Sequence, residues 1–289
     1  MPESLDALVA LLDLEQIEVN LFRGRQPDTA LQRVFGGQVA AQALVAAGRT
    51  VDDDLFVHSL HAYFILPGDT AVPIVYDVER VRDGRSFGTR RVVARQHGRS
   101  IFYASTSFHR REEGFDHQDV MPSTPVPEAC PRLGDLYERV TGRSAAEWER
   151  EWAAIDVRYA GNSRPGGEID DPAHPAAARL WLRTAGALSD DPELHSCVLT
   201  YASDLTLLGA TLVPHGKVLG TPDVQTASID HAMWFHRPFR ADEWLLYDQL
   251  SPSASGGRGL AIGRVFTADG TLAVTVAQEG LIRPVPLTG

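Results

Sequence analysis

The order of apolar and polar segments predicts two similar halves, each with one helix followed by antiparallel strands. In the first half a helix of small residues at 36–44 precedes a strand at 57–64, and in the second a helix starting at 204 precedes a strand at 228–235. Three more strand-like runs follow in each half, at 71–81, 88–96 and 100–109 and at 244–250, 258–266 and 271–282. We therefore expect an α+β fold with a duplicated unit; chance likeness between two α+β halves is the alternative.

The stretch between the two halves has a different composition. It carries prolines at 122, 125, 127 and 131 and a predicted helix at 133–153, and an alternating strand at 179–183 opens the second half. A short amphipathic helix at 5–12 precedes the first half. We predict an N-terminal repeat at 1–110, a connector with a helix at 111–177, and a C-terminal repeat at 178–289 that carries the catalytic residues.

Gln278 is a primary amide on an apolar strand face. Its face also carries Leu272, Val274 and Val276. A buried amide without partners costs about 1–3 kcal/mol, so either neighbours satisfy it or it is held there for a function. Asp204 and Ser228 lie in two other segments that supply candidate partners. A carboxylate, a hydroxyl and an amide can together hold one water molecule.

Asp204 and Ser228 each have an ordinary structural explanation when taken alone. Asp204 stands directly before residues 205–208, where the sequence predicts that it is the N-cap of the second helix. The amino terminus of that helix would also offer free N–H groups to an oxyanion. A hydroxyl such as that of Ser228 is common in strands, so the functional hypothesis depends on the three residues together.

Composition excludes several classes of protein. A formal net charge of -11 and a pI near 5.3 argue against nucleic-acid binding, which needs a basic surface. Cys130 and Cys197 form neither a disulfide framework nor a metal-ligand cluster, so we expect free thiols, a cytosolic protein and no metal. An acidic amino terminus and the absence of a membrane-length apolar run indicate neither export nor membrane insertion, and the tail at 286–289 matches no peroxisomal address.

Other motifs are better explained by structure than by chemistry. Gly84-Arg85-Ser86-Phe87-Gly88 fits the G-x-S-x-G pattern of serine hydrolases, but it lies in a predicted hairpin rather than in a strand-to-helix elbow. No nucleotide-binding glycine motif is present, so we expect no cofactor. The histidines are scattered in strands, and only His58 is kept as a candidate accessory residue.

Long segments of the chain resemble the acyl-CoA thioesterase II (TesB-type) family, whose fold is a fused double hotdog with two helices, each wrapped by an antiparallel sheet. The similar segments are 20–24, 34–38, 59–64, 67–69, 102–105, 121–123, 201–204, 229–239 and 277–280. The resemblance implies hydrolysis of fatty acyl-CoA, with catalytic residues at Asp204, Ser228 and Gln278. Relatives often carry Thr at the position of Ser228, which preserves the hydroxyl, and fewer glycines near Gly256-Gly257. The connector resembles the family least.

The mechanism that follows is a general-base hydrolysis without an acyl-enzyme. Asp204 would deprotonate a water that Ser228 and Gln278 orient, and N–H groups near the start of the second helix would stabilise the oxyanion. The first repeat has Gly36-Gly37-Gln38 where the second has an acid, and Thr106 near the place of Gln278, so we expect one active site per chain. Sheets of this kind commonly associate, so we also expect a homo-oligomer. Two alternatives are a catalytically silent acyl-CoA binding protein and a hotdog-type enoyl-CoA hydratase.

Overall fold

The structure is a computed structural model that describes residues 1–142, 144–170 and 173–285, so the tail at 286–289 lies outside the described residues. Its helices are α1 (Leu5–Leu12), α2 (Gly36–Gly48), α3 (Leu133–Thr141), α4 (Ala145–Glu151) and α5 (Pro192–Ser203), with 3₁₀ segments at Pro127–Ala129 and Leu207–His215.

The strands of the described residues form one antiparallel sheet. They are β1 (Glu15–Glu18), β2 (Leu21–Gly24), β3 (Leu55–Phe64), β4 (Ile74–Asp83), β5 (Phe87–Gln96), β6 (Arg99–Arg110), β7 (Ile155–Asn162), β8 (Ala177–Thr184), β9 (Val224–Ser228), β10 (Asp230–Phe235), β11 (Leu245–Ser255), β12 (Arg258–Thr267) and β13 (Leu272–Pro284).

The strand order is the same when read from either end of the sheet. The order is β1-β2-β4-β5-β6-β3 in one half and β7-β8-β11-β12-β13-β10 in the other, and β3 pairs with β10 where the halves meet. At that junction His61 pairs with Ala232 and Ala62 with His231. Strand β9, which pairs with β13, has no counterpart in the first half. This arrangement, with helices packed on the sheet, is a double hotdog, as the family resemblance implies.

Helices α2 and α5 pack against each other in opposite directions. The small side chains of α2 permit this close approach: a Cβ on Gly37 would overlap the carbonyl oxygen of Tyr201, and a Cβ on Gly48 would overlap the carboxyl group of Glu193. The start of α2 therefore lies beside the end of α5, and the end of α2 lies beside the start of α5. Residues 37–48 of α2 are all buried.

Two of the predicted helices are different in the structure. The prediction that a helix begins at Asp204 is wrong, because α5 ends at Ser203 and Asp204 is its C-cap. The N-cap of α5 is Asp191, whose side chain accepts a hydrogen bond from the backbone N–H of Glu193. The helix predicted at 133–153 is two helices, because Gly142 ends α3 in the left-handed conformation (φ 71°).

Two further segments differ from the sequence expectation. Strand β7, inside the predicted connector at 111–177, pairs with β8 and extends the sheet of the second half, just as β1 extends the first. One stretch, Pro192–His215, is apolar and long enough to cross a membrane, contrary to the expectation that none is. It consists of α5 and the following 3₁₀ segment, and most of it is buried in the core of the fold.

Candidate active site

The carboxyl group of Asp204 receives hydrogen bonds from the two other residues that the sequence singles out. Ser228 Oγ donates to Asp204 Oδ1 over 3.1 Å, and Gln278 Nε2 donates to the same oxygen over 2.5 Å. Gln278 Nε2 also lies 3.0 Å from Ser228 Oγ. The three side chains are 24 to 74 residues apart in the chain, and the fold brings them into one hydrogen-bonded group.

Local strand geometry places Ser228 and Gln278. Strand β13 pairs with β10 through Val274–Ala277 and with β9 through Gly280–Pro284, so Gln278 lies between the two paired segments. Ser228, the last residue of β9, pairs with Gly280. Gln278 is fully buried on the inner face of β13, as the sequence predicts, and its Oε1 has no hydrogen-bond partner among the described residues.

Burial raises the pKa of Asp204 to about 6, well above the ordinary value of 3.8. Hydrogen bonds from Gln278, Ser228 and the backbone N–H of Gly37 oppose this effect, because each one stabilises the ionised form. A carboxyl group with a pKa near 6 is ionised at neutral pH and is a stronger base than an exposed aspartate. This balance is typical of a general base.

The helix amino terminus that faces Asp204 belongs to the first half of the chain. The oxyanion site predicted at the start of the second helix is misplaced, since Pro192 lies twelve residues before Asp204, about 18 Å along a helix. Instead, α2 begins at Gly36 without a side-chain cap, and a Cβ on Gly36 would lie 2.6 Å from Asp204 Oδ2. The first N–H groups of α2 have no partner within the helix and carry partial positive charge.

A cavity of about 1320 Å³ opens at this site. Asp204, Ser228 and Gly36 line it, whereas Gln278 is not among its described lining residues and contacts the other two from the buried side. Most of the remaining wall is apolar and comes from the loop before α2, from α3 and α4, from β8 and from the 3₁₀ segment after α5. The connector therefore forms part of the same cavity as the two repeats.

Gln249 and Thr206 are two polar residues of the cavity that the sequence analysis did not predict. Gln249 on β11 is fully buried, and its Nε2 donates to Thr206 Oγ1 over 2.7 Å. Both residues line the cavity. The signal was available, because Gln249 shares one face of β11 with the buried Leu245 and Tyr247, just as Gln278 shares its face with apolar residues of β13.

Ser203 and His231 form a buried hydrogen bond next to Asp204. Ser203 Oγ lies 2.8 Å from His231 Nε2, which ties the last turn of α5 to β10 beside the Asp204 carboxylate. His231 is fully buried, and burial lowers its pKa to about 4 from an ordinary value of 6.5. The histidine is therefore neutral at physiological pH.

The other sequence candidates lie elsewhere. His58 Nε2 is 2.8 Å from Ser107 Oγ, its ring packs against Phe87 and His109, and it does not line the cavity. Ser86 lies in the hairpin turn between β4 and β5, so the serine-hydrolase pattern is not an elbow. Within the described ranges, no group of three or more histidine, cysteine, aspartate or glutamate side chains is arranged for a metal ion.

Comparison with known proteins supports the fold and the family. The sequence models described as "Acyl-CoA thioesterase" and "Acyl-CoA thioesterase N-terminal domain" match residues 168–281 and 25–109. Acyl-CoA thioesterase 2 of Haemophilus influenzae is 39% identical over 98% of this chain and 99% of its own. Human acyl-coenzyme A thioesterase 8 is 41% identical over 96% of this chain and 89% of its own.

Solved structures give the same result. The acyl-CoA thioesterase II TesB2 of Mycobacterium marinum is 48% identical, with a TM-score of 0.81 over 96% of this chain and 98% of its own. A protein from Alicyclobacillus acidocaldarius described as having a hot dog fold is 21% identical, with a TM-score of 0.75 over 96% of this chain and 97% of its own, and shows the fold alone.

Fold and site together define a double hotdog protein with a buried carboxylate at the wall of an apolar cavity. Family models cover both halves, and the similarity to full-length relatives is nearly end to end. The chain belongs to the acyl-CoA thioesterase family.

Proposed function

We propose that the protein hydrolyses fatty acyl-CoA to free fatty acid and coenzyme A. The observation that carries this proposal is the hydrogen-bonded group of Asp204, Ser228 and Gln278 at the wall of a large apolar cavity. An apolar cavity takes an acyl chain, and a base with a pKa of about 6 activates water at neutral pH.

Asp204 is the general base in this mechanism. A water held against Asp204 and Ser228 loses a proton to the carboxylate while its oxygen attacks the thioester carbonyl carbon. Gln278 fixes both side chains from the buried side, so that the carboxylate and the hydroxyl keep their orientation towards the water. The bond between carbon and sulfur then breaks, and coenzyme A leaves as a thiolate, which needs little acid assistance.

The first turn of α2 stabilises the developing oxyanion in this proposal. Its N–H groups lie next to Asp204, to which the N–H of Gly37 donates, and Gly36 permits this approach because it has no side chain between the helix and the carboxylate. The first repeat would therefore contribute to catalysis without a base of its own. One active site per chain follows, because Asp204 is the C-cap of α5 and the C-cap of α2, at the matching position of the first repeat, is Arg49, which is not an acid.

Release of free thiol from a series of acyl-CoA esters tests the function. Wild-type protein should release thiol, and Asp204→Asn should abolish turnover while its circular dichroism and melting temperature remain those of a folded protein. Asp77→Asn, on the exposed surface of β4, is the matched control and should keep full activity. Wild-type activity in Asp204→Asn would refute the assignment of the base.

The same experiment separates the two alternatives. Tight binding of acyl-CoA without thiol release would favour a silent binding protein, and addition of water to an enoyl-CoA without thiol release would favour a hydratase. The hydrogen-bonded trio favours the thioesterase, because a binding protein has no need for a buried carboxylate of raised pKa.

We also propose a cytosolic location, a homo-oligomeric state and no nucleic-acid or membrane partner. Cys130 and Cys197 are both free and buried, which is consistent with a reducing compartment. We also propose repeat boundaries near 110 and 178. With these boundaries β7, at 155–162, is a strand of the connector that pairs with β8 of the C-terminal repeat.

A further inference from the structure

A row of aromatic rings runs along the cavity from the catalytic group to the connector helices. The ring centroids of Phe35 and Trp152 are 5.0 Å apart, those of Trp152 and Trp148 are 5.9 Å apart, and those of Trp148 and Tyr137 are 4.9 Å apart. All four residues line the cavity. The row combines one residue of the first repeat with three residues of the connector.

The row begins at the catalytic site. Phe35 is the N-cap of α2, and the next residue, Gly36, lies against Asp204 Oδ2. Phe35 is held by Tyr201 of α5, whose ring centroid is 5.2 Å away. At the far end, Tyr137 packs on the loop after the 3₁₀ segment, where a Cβ on Gly220 would lie 2.7 Å from its hydroxyl oxygen. The first ring is therefore fixed next to the base, and the last ring is held by a different part of the chain.

Apolar side chains line the cavity together with the row. They include Leu136, Leu180 and Leu208, while Glu147, Arg150 and Glu151 of α4 also line the cavity beside the rings. Phe64 and Leu66 line the cavity as well, as do the exposed residues 32–33, a glutamine and an arginine. An acyl chain that lies against the rings and leucines gains free energy, because it buries apolar surface there.

We propose that this aromatic row is the wall along which the acyl chain lies, and that Trp148 and Tyr137 at its far end set the preference for long acyl chains. The inference rests on the proposed thioesterase function and specifies its substrate class. From Phe35 to Tyr137 the row extends at most about 16 Å. Carbon–carbon bonds of about 1.5 Å advance an extended chain by roughly 1.3 Å per methylene, so the row spans at most about twelve methylenes.

The chain-length effect follows from the area that each methylene buries. A methylene that loses its apolar contact costs about fourfold in kcat/KM. Trp148→Ala removes the contact for only the distal methylenes, two or more of them in a long chain. We expect kcat/KM for dodecanoyl-CoA and octadecanoyl-CoA to fall at least about tenfold, and that for butanoyl-CoA to change less than about twofold.

Three further variants make the experiment specific. Trp244→Ala is the matched control, because this tryptophan packs under Arg183 in another part of the structure and does not line the cavity; its chain-length profile should be that of the wild type. Leu66→Ala tests the part of the cavity wall formed by Phe64 and Leu66. Any loss of kcat/KM in this variant should be the same for short and long acyl chains. Trp148→Leu keeps an apolar side chain in case Trp148→Ala does not fold, and it should show the same selective loss.

Each outcome either supports the inference or overturns it. A selective loss for long chains in the Trp148 variants supports it. A uniform loss of kcat/KM over all chain lengths in the Trp148 variants would mean that the row only packs the connector onto the core. A selective loss for long chains in Leu66→Ala would place the acyl chain against Leu66 instead. Either result overturns the proposal.

Failure of the proposed function can be recognised separately. If the wild type releases no thiol from any ester, the thioesterase assignment fails, and calorimetry with butanoic, dodecanoic and octadecanoic acids then tests the row directly. Weaker binding of only the two long acids by Trp148→Ala would still support the aromatic row as an acyl site. Equal affinities in variant and wild type would overturn it.

Discussion

Replacement of Gln278 by methionine should shift the pH dependence of catalysis. Methionine has a similar length but no N–H donor, so the variant loses the 2.5 Å hydrogen bond from Gln278 Nε2 to Asp204 Oδ1. That bond stabilises the ionised carboxylate and lowers its pKa. Its removal should therefore raise the pKa of Asp204 above the wild-type value of about 6.

The size of the shift can be worked from the strength of the bond. A hydrogen bond to a charged group contributes about 1.5–3 kcal/mol, and 1.36 kcal/mol corresponds to a tenfold change in acidity, so the pKa in Gln278→Met should rise to about 7–8. Because the base must be ionised, kcat/KM should rise with pH through about 6 in the wild type and through the higher value in the variant. At pH near 6.5 this shift alone lowers activity by about 3-fold to 25-fold.

Thiol release from one acyl-CoA ester, measured from acidic to alkaline pH, gives the two profiles. Gln249→Met is the matched control, because Gln249 is also a fully buried amide of the second repeat but donates to Thr206 rather than to Asp204. Its profile should keep the wild-type limb. An unchanged limb in Gln278→Met would refute the reasoning, because the titrating group would then not depend on the Gln278 amide.

Gly36→Ala should lower kcat at least about tenfold, because its methyl group would lie 2.6 Å from Asp204 Oδ2; Gly114→Ala, with open space around it, should have no effect, and full activity in the first variant would argue against the placement of α2. Burial lowers the pKa of His231 to about 4 from an ordinary value of 6.5. As the pH falls from 6.5 to 4, this histidine is therefore protonated in the unfolded state but not in the folded state, and the free energy of unfolding decreases by up to about 3 kcal/mol. Denaturant unfolding at both pH values should show a smaller decrease in the free energy of unfolding for His231→Phe than for the wild type. An equal decrease in the two proteins would exclude His231 as the cause. Arg90→Met should destabilise the fold by about 2 kcal/mol, since it leaves buried acceptors unpaired, without changing the kcat of the folded enzyme; an unchanged melting temperature would contradict this.

Local pattern in the sequence was sufficient for the strands and for the three residues of the hydrogen-bonded group. Alternation identifies the inner face of a strand, and Gln278 stands out because an amide on that face must be satisfied. The structure places Asp204 and Ser228 as its partners, as the sequence predicts. Gln249 carries the same signal on β11, since it lies on one face with the buried Leu245 and Tyr247.

The surroundings of the site depend on tertiary structure. Asp204 looks like an N-cap because a carboxylate before an apolar run is typical of a helix start, yet Asp191 and Pro192 begin the helix earlier and Asp204 ends it. Helix propensity acts over a few residues, so it cannot show whether the helix starts at Asp191 or at Asp204. The partner of Asp204 at Gly36–Gly37 follows only from the antiparallel packing of α2 on α5.

The sequence by itself determined the alternation of strands, the duplicated order of elements and the three polar residues that form the hydrogen-bonded group. Docking of the two repeats and the connector decided the rest: the helix terminus beside Asp204, the symmetric strand order, and the row of rings from Phe35 to Tyr137. These features join residues about 100 or more positions apart. Their contacts depend on how buried surfaces fit together, and no local period in the chain records that fit.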